Sequence, residues 1–150
     1  FLQGLETLSL RMDRHVDNAL AIANYLTEHE MVERVTYPGL QGSRYQPLVD
    51  KYLQKGAGAV MSFDIRGGRE AGQAFIRHVT LWSHLANVGD SKSLIIHPAS
   101  TTHRQLNDEE LLAAGVGDGT IRLSVGIEDI DDLIWDLGQS FTKVRKYRNA

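Results

Sequence analysis

The sequence contains no cysteine, which excludes disulfide bonds, thiolate metal sites and cysteine nucleophiles. We therefore expect a protein of the reducing cytoplasm. No stretch approaches the roughly 18 consecutive apolar residues of a membrane-spanning helix, and no secretion signal is recognisable at the N-terminus. There is also no marked charge surplus. The net charge is -3 and the isoelectric point is near 6.1, which disfavours binding to nucleic acid or to an anionic membrane.

Apolar residues, in contrast, are plentiful enough for a core. The chain has 150 residues, of which 42% are hydrophobic, and this predicts one folded domain. It begins with phenylalanine and enters an apolar, helix-spaced segment almost at once. We interpret this beginning as the middle of a longer polypeptide.

Helix and strand periodicities alternate along the chain. Apolar residues recur every three or four positions from Leu5 to Leu26, which predicts one long amphipathic helix over about 4–29. Other segments predict strands near 31–36, 58–65 and 120–125, and helices near 43–53, 69–79, 107–116 and 130–144. We expect an α/β fold of the α+β type, in which helices cover a small, mostly antiparallel sheet.

Local signals predict where these helices begin. The helix near 43–53 starts at Ser43 or, because Pro47 is late for a first turn, near Gln46. Asn107 is predicted to cap the next short helix, and Glu128 and Asp129 supply acids or a cap for the last one. Residues 80–102 are the least regular part of the chain.

One arginine lies inside the strand predicted at 120–125. Ile121, Leu123 and Val125 alternate onto one face, so Arg122 belongs to the polar face. Such an arginine either faces water or is held rigidly to bind a carboxylate or phosphate with two parallel hydrogen bonds. The irregular segment supplies candidate partners, because residues 87–93 offer backbone amides and Thr102 offers a hydroxyl.

No metal site is predicted. The chain has six histidines, but those at positions 78, 84, 97 and 103 form no helical pair spaced by four and have no clustered carboxylates or cysteines beside them.

Two longer stretches resemble a known family. Residues 86–106, ANVGDSKSLIIHPASTTHRQL, and 121–137, IRLSVGIEDIDDLIWDL, closely resemble the C-terminal end of the pyridoxal-phosphate enzymes of cysteine and methionine metabolism. That family includes cystathionine γ-synthase, cystathionine γ-lyase and O-acetylhomoserine sulfhydrylase. LQGLETLSLRMDRH, YPGL and FDIRGG resemble the same family in the same order. The resemblance implies the C-terminal domain of a fold-type I transferase that uses pyridoxal 5'-phosphate.

The resemblance also implies roles for three residues. Arg122 would bind the α-carboxylate of an amino-acid substrate, and Asn87 would help to hold the same carboxylate, partly through main-chain groups. Thr102 would support the arginine and the substrate from one layer further out. No catalytic, cofactor-binding or metal-binding residue is expected in this chain. The family's cofactor lysine belongs to a preceding large domain, and none of Lys51, Lys55, Lys92, Lys143 and Lys146 has its context.

Ala86, Asn87 and Asp90 differ from the γ-lyases and γ-synthases and resemble the sulfhydrylase branch. This implies replacement of the acetate of O-acetyl-L-homoserine by sulfide, giving homocysteine, in a homotetramer when full length. We expect residues 1–150 to be a C-terminal small domain whose partner is its own N-terminal cofactor-binding domain, and to be inactive and without bound cofactor alone. The alternatives are a domain of methionine γ-lyase or cystathionine γ-synthase, and a non-catalytic amino-acid-binding or interaction module.

Overall fold

One sheet of five strands organises the molecule. The computed structural model describes residues 1–148, except for the side chain of Asp108. The strands are β1 (Val32–Thr36), β2 (Val60–Ile65), β3 (Ser83–His84), β4 (Leu94–Ile96) and β5 (Thr120–Ser124). Their order across the sheet is β1-β2-β5-β4-β3. Only β3 and β4 run parallel among these pairs, so the expectation of a mostly antiparallel sheet is confirmed.

The central strands β2 and β5 have the alternation that their sequences predict. Phe63 lies opposite Ile121 and Met61 lies opposite Leu123, and all four side chains are buried. Because successive residues of a strand point to opposite faces, these apolar residues share one face and leave the polar ones on the other. The buried face is the one that the helices cover.

Six α-helices accompany the sheet in residues 1–148. They are α1 (Leu2–Glu6), α2 (Leu8–Glu28), α3 (Gln46–Tyr52), α4 (Gly68–His78), α5 (Asp108–Ala113) and α6 (Ile130–Val144). Helices α2, α4 and α6 pack over the apolar face of the sheet. There Phe75 lies between Phe63 and Phe141, with ring centroids 5.7 and 4.6 Å away. Burial of each such ring stabilises the fold by roughly 1.5–3 kcal/mol.

The first helix differs from its prediction. A single helix over about 4–29 was expected, but the helix breaks at Thr7, whose φ of -108° and ψ of 6° are not helical. The apolar spacing is continuous through this position, so periodicity does not reveal the break. The main helix is therefore α2, and α1 is a separate turn before it.

The helix starts are partly as predicted. Helix α3 begins at Gln46, the later of the two expected starts, and the Ser43 hydroxyl accepts a hydrogen bond from the Tyr45 N–H in the turn before it. Ser43 is therefore not the cap of α3. Asn107 caps α5 as predicted and forms a reciprocal pair with Glu110. The segment expected to be irregular contains β3 and β4, which are too short to show alternation.

The N-terminal part of the chain lies outside the core. The first buried residue of α2 is His15. Before it, Leu2, Leu5 and Leu10 are 80%, 62% and 69% exposed. We call residues 1–14 the N-terminal arm. None of the helices within residues 1–148 is long and apolar enough to cross a membrane.

Candidate substrate-carboxylate site

Arg122 lies in the middle of β5, on the sheet face that points away from the core. Ser62 and Ile96 are directly opposite it on the two neighbouring strands. The arginine is half-buried, and its Nη2 donates a hydrogen bond to the main-chain carbonyl of Asn87 at 3.4 Å. Arg122 is thus held against the loop after β3 and is not fully surrounded by water.

The partner of Arg122 is neutral. In the part of the chain that the structure describes, no carboxylate oxygen lies within 4.0 Å of its guanidinium nitrogens. A guanidinium has five N–H donors, and one carbonyl at 3.4 Å uses only one of them. The remaining donors and the full positive charge are available to an anion that approaches the open face of the sheet.

Asn87 meets Arg122 through its main chain. Its side-chain oxygen accepts a hydrogen bond from the Val88 N–H at 2.9 Å, at the exposed tip of the loop. The Asn87 carbonyl is the group that accepts from the guanidinium. A ligand bound by Arg122 would therefore lie beside the backbone of this loop.

Thr102 lies near the same region but does not touch Arg122. Its hydroxyl forms a hydrogen bond with His103 Nδ1 at 2.8 Å. Thr102 also lines a cavity of about 520 Å³ together with Ala86, Ile96 and Arg104. Since Ala86 precedes Asn87 and Ile96 lies opposite Arg122, this cavity borders the Arg122–Asn87 contact. The three residues singled out from the sequence therefore lie around one region of the surface.

Asp136 fixes the segment before β3 and was missed by the sequence analysis. It is buried on α6, where its carboxylate accepts hydrogen bonds from the Thr80 N–H at 3.0 Å and hydroxyl at 2.8 Å and from the Leu81 N–H at 2.9 Å. These bonds fix the chain just before β3. A signal was available, because Asp136 falls between Leu133 and Leu137 on the apolar face of the helix, where a lone acid requires partners.

His97 supports the other wall of the cavity. It is fully buried, with Nε2 2.6 Å from the Asp118 carbonyl and Nδ1 2.8 Å from the Ser100 hydroxyl. A carbonyl only accepts, so Nε2 carries a hydrogen and donates it to the Asp118 carbonyl. Burial lowers the pKa of His97, although the Asp118 carbonyl opposes this effect. The buried ring thus fixes the turn that leads to Thr102.

None of the lysines within residues 1–148 is buried. A lysine that bonds to pyridoxal phosphate must be activated, for example by desolvation in a pocket, but all five lysines of the chain are exposed. Within residues 1–148 no cluster of three or more histidine, aspartate or glutamate side chains could hold a metal ion. The chemistry available here is anion binding by Arg122.

Comparison with known proteins identifies the same family that the motifs resemble. The family model for Cys/Met metabolism PLP-dependent enzymes matches residues 1–142. A homocysteine synthase of Schizosaccharomyces pombe is 54% identical over 93% of this chain and 32% of its own length. An O-acetyl-L-homoserine sulfhydrylase of Leptospira meyeri is 49% identical over 95% of this chain and 33% of its own length. The chain thus spans about a third of the length of these curated relatives.

Solved structures agree with the fold. A Campylobacter jejuni protein described as an O-acetylhomoserine (thiol)-lyase, which carries a pyridoxyl-lysine-phosphate, superposes with a TM-score of 0.86 and 46% identity over 94% of this chain and 34% of that one. A cystathionine γ-synthase of Xanthomonas oryzae, in complex with aminoacrylate and cysteine, superposes with a TM-score of 0.86. It is 40% identical in sequence, and the match covers 97% of this chain and 38% of that one. Both are enzymes of which this chain matches only one part.

Proposed function

Because the chain belongs to the family of pyridoxal-phosphate-dependent enzymes of cysteine and methionine metabolism, we propose that residues 1–150 are the C-terminal domain of an O-acetylhomoserine sulfhydrylase. In this proposal the whole enzyme replaces the acetate of O-acetyl-L-homoserine with sulfide and forms homocysteine. This domain binds the α-carboxylate of the substrate. The activities of the relatives support the reaction, and Arg122 supports the role of the domain.

The observation that carries the proposal is the unpaired charge of Arg122. Its guanidinium is half-buried, has only a neutral carbonyl as partner within residues 1–148 and lies on a rigid strand. A carboxylate matches the fork of a guanidinium with two parallel, charge-assisted hydrogen bonds. Because the strand fixes the arginine, the bound carboxylate would also fix the orientation of the substrate, which affects the reaction rate as well as affinity.

Asn87 and Thr102 have supporting roles in the proposal. The Asn87 carbonyl orients the guanidinium. Thr102 shapes the adjacent cavity, which would accept part of the substrate or of the preceding domain. Neither side chain needs to contact the substrate directly for these roles.

The rest of the active site would come from the preceding cofactor-binding domain. When bound there, pyridoxal phosphate supplies an electron sink for the bonds that change in the substrate. The exposed leucines of the N-terminal arm support an interface with that domain, since contiguous apolar patches mark interaction surfaces. We propose the homotetramer expected from the resemblance as the assembly of the full-length enzyme.

The test of the reaction uses the full-length enzyme and the 150-residue chain in parallel. We expect the full-length enzyme to form homocysteine from O-acetylhomoserine and sulfide. We expect the 150-residue chain with added pyridoxal phosphate to form none and to show no cofactor absorbance band. Faster reaction with cysteine than with sulfide would indicate a cystathionine γ-synthase, and release of methanethiol from methionine a γ-lyase. A full-length protein without any of these activities would favour a non-catalytic binding module.

The role of Arg122 is tested by substitution in the full-length enzyme. Loss of a charge-assisted pair costs about 1.5–3 kcal/mol, so Arg122→Ala should lower kcat/KM for O-acetylhomoserine by roughly 10- to 200-fold. Arg122→Lys should recover only part of the loss, because an ammonium lacks the planar fork. Arg34→Ala is the matched control on the same sheet face and should leave kcat/KM unchanged. An unchanged kcat/KM for Arg122→Ala would contradict the proposal.

A further inference from the structure

A carboxylate just after β5 binds the loop that carries Asn87. The Glu128 carboxylate accepts hydrogen bonds from the Ser93 N–H at 2.7 Å and from the Ser93 hydroxyl at 2.8 Å. Ser93 is fully buried, and its hydroxyl oxygen also accepts a hydrogen bond from the Gly126 N–H at 2.8 Å. One acid and one hydroxyl therefore join the end of the loop to the end of the strand that carries Arg122.

The loop also packs directly against the backbone after β5. The Ile127 N–H donates to the Ser91 carbonyl at 3.0 Å. A Cβ placed on Gly126 would lie 2.5 Å from both the Ser91 carbonyl oxygen and the Ser93 nitrogen. Only glycine allows this close approach without a shift of the main chain. The contact between the two segments is thus tight on both sides of Gly126.

Helix α2 holds this turn from the opposite side. His15 Nδ1 lies 2.6 Å from the Val125 carbonyl, and Asn18 Nδ2 donates to the carbonyls of Gly126 at 3.1 Å and Glu128 at 2.9 Å. Both side chains are buried. The backbone of residues 125–128 is therefore fixed by α2, and Glu128 extends from a rigid base toward the loop.

We define residues 85–93 as the Asn87 loop. Its start follows the segment that Asp136 holds, and its end is held by Glu128. The tip between these two ends is exposed, and there the Asn87 carbonyl meets the guanidinium of Arg122. Movement of either end would displace this carbonyl. Glu128, six residues after Arg122 in the sequence, is the charged side chain that binds the end of this loop through Ser93.

We propose that Glu128 is a positioning residue for substrate binding. Its carboxylate holds the Asn87 loop against β5, and the loop in turn orients the guanidinium of Arg122 for the substrate carboxylate. Glu128 itself does not touch the substrate. This inference rests on the proposed function of Arg122, and it gives Glu128 a role other than the one at the start of the last helix that its position in the sequence suggests.

Loss of the Glu128 carboxylate should weaken substrate binding, because the Asn87 loop would be held against β5 in a smaller fraction of molecules. If the loop is in the position that allows substrate binding only a tenth of the time, the apparent dissociation constant of the substrate rises about tenfold. Glu128→Ala removes both acceptors of Ser93 and should raise KM for O-acetylhomoserine by about that factor, with KM for sulfide unchanged. Glu128→Gln keeps one acceptor oxygen and has an amide that can donate to the Ser93 hydroxyl. Its KM for O-acetylhomoserine should therefore stay close to the wild-type value.

The experiment compares these variants in the full-length enzyme with bound cofactor. Ser93→Ala removes the hydroxyl without changing charge and should raise the same KM, which provides a second test if Glu128→Ala does not fold. Asp132→Asn is the matched control, because Asp132 is an exposed acid in the first turn of α6. It should leave both KM values unchanged. The decisive measurement repeats Glu128→Ala in the Arg122→Ala background, where its effect on KM should disappear.

Each outcome decides between the inference and the function on which it rests. A rise in KM that persists without Arg122, or an equal rise for sulfide, would overturn the role of Glu128 while leaving Arg122 as the carboxylate site. The role of Glu128 is equally overturned if Glu128→Ala and Ser93→Ala lower only thermal stability. If Arg122→Ala alone leaves KM and kcat/KM unchanged, the proposed function itself fails.

Discussion

Two arginines project from the same face of the sheet and meet different partners. On β1, Arg34 lies opposite Asp64, and its Nε and Nη2 are 2.9 and 2.8 Å from the carboxylate. On β5, Arg122 lies opposite Ser62 and donates to a main-chain carbonyl. The first arginine has its carboxylate supplied by the neighbouring strand. The second has the same charge without such a partner among the described residues.

The difference shows that the residue opposite an arginine on the neighbouring strand decides whether its guanidinium is paired with a carboxylate of the sheet. Asp64 and Ser62 are two positions apart on β2 and therefore point to the same face. Asp64 also accepts a hydrogen bond from the Thr120 hydroxyl at 2.5 Å, so this carboxylate is well satisfied inside the sheet. Arg34 is therefore already paired with a carboxylate, whereas Arg122 has no such partner among the described residues.

The largest expected effect comes from making the second arginine like the first. In Ser62→Asp a carboxylate would lie directly opposite Arg122, at the distance at which cross-strand pairs interact. It would occupy the guanidinium and repel the substrate carboxylate. We expect KM of the full-length enzyme for O-acetylhomoserine to rise by about 100-fold, since a charge-assisted pair contributes about 1.5–3 kcal/mol.

Ser62→Asn is the control for this substitution. It has nearly the same size as aspartate but no charge, and it should change KM by less than about threefold. An equal loss in both variants would mean that space and not charge limits binding. An unaffected KM in Ser62→Asp would contradict the assignment of Arg122 as the carboxylate site.

The second expected effect comes from weakening the segment before β3, which precedes the loop that contacts Arg122 but not Arg34. In Asp136→Asn an amide group replaces one carboxylate oxygen, so N–H groups of residues 80–82 lose an acceptor. Such unsatisfied groups cost about 1–3 kcal/mol each. We expect Tm of the chain to fall by roughly 6 °C for a loss of about 2 kcal/mol.

This second substitution should affect the two arginines unequally. The loop that contacts Arg122 follows the segment that Asp136 holds, whereas Arg34 is bound by the Asp64 carboxylate of the neighbouring strand. In the full-length enzyme we therefore expect KM for O-acetylhomoserine to rise as well. Asp132→Asn on the same helix should change neither Tm nor KM; a similar effect in both variants would point to the helix charge and not to the buried bonds.

The third effect depends on pH. Burial lowers the pKa of His97, so the unfolded chain binds a proton at a higher pH than the folded chain does. The free energy of unfolding should therefore decrease as the pH falls from about 7 toward the lowered pKa, and should be insensitive to His97 above that range. Urea unfolding between pH 7.5 and 5 measures this change.

His97→Gln isolates the contribution of this residue. His29 also has a pKa lowered by burial, but it is present in both proteins and cancels in the difference. The difference in unfolding free energy between wild type and variant should shrink as the pH falls. A constant difference for His97→Gln would show that its burial does not affect its protonation.

The parts of the fold with long, regular patterns could be predicted from the sequence. The alternation around Arg122 places it on the polar face of β5, and the apolar spacing of α4 and α6 identifies their inner faces. These patterns are local, so each is complete within one segment. Strands β3 and β4 have two and three residues, too few for a period to appear.

The candidate site depended on contacts that local patterns do not contain. The sequence indicated that Arg122 faces away from the core but not that Ser62 lies opposite it, because the register is set by pairing between distant segments. The same limit applies to Glu128. As an acid before a helix it suggested a dipole interaction, yet Asp129 caps α6 and Glu128 binds Ser93 instead.

The smallest expected effect is that of Arg34→Ala. The Arg34 side chain is 65% exposed, so solvent screens its pair with Asp64 and its removal should lower the free energy of unfolding by less than about 1 kcal/mol. For a chain of this length that is a decrease of less than about 4 °C in Tm. Arg122→Ala should show the reverse pattern, with a small change in Tm and a large change in kcat/KM. A loss of kcat/KM in both variants would mean that the positive charge of the whole sheet face attracts the substrate. Pairing with a carboxylate from β2 would then not prevent an arginine from binding the substrate.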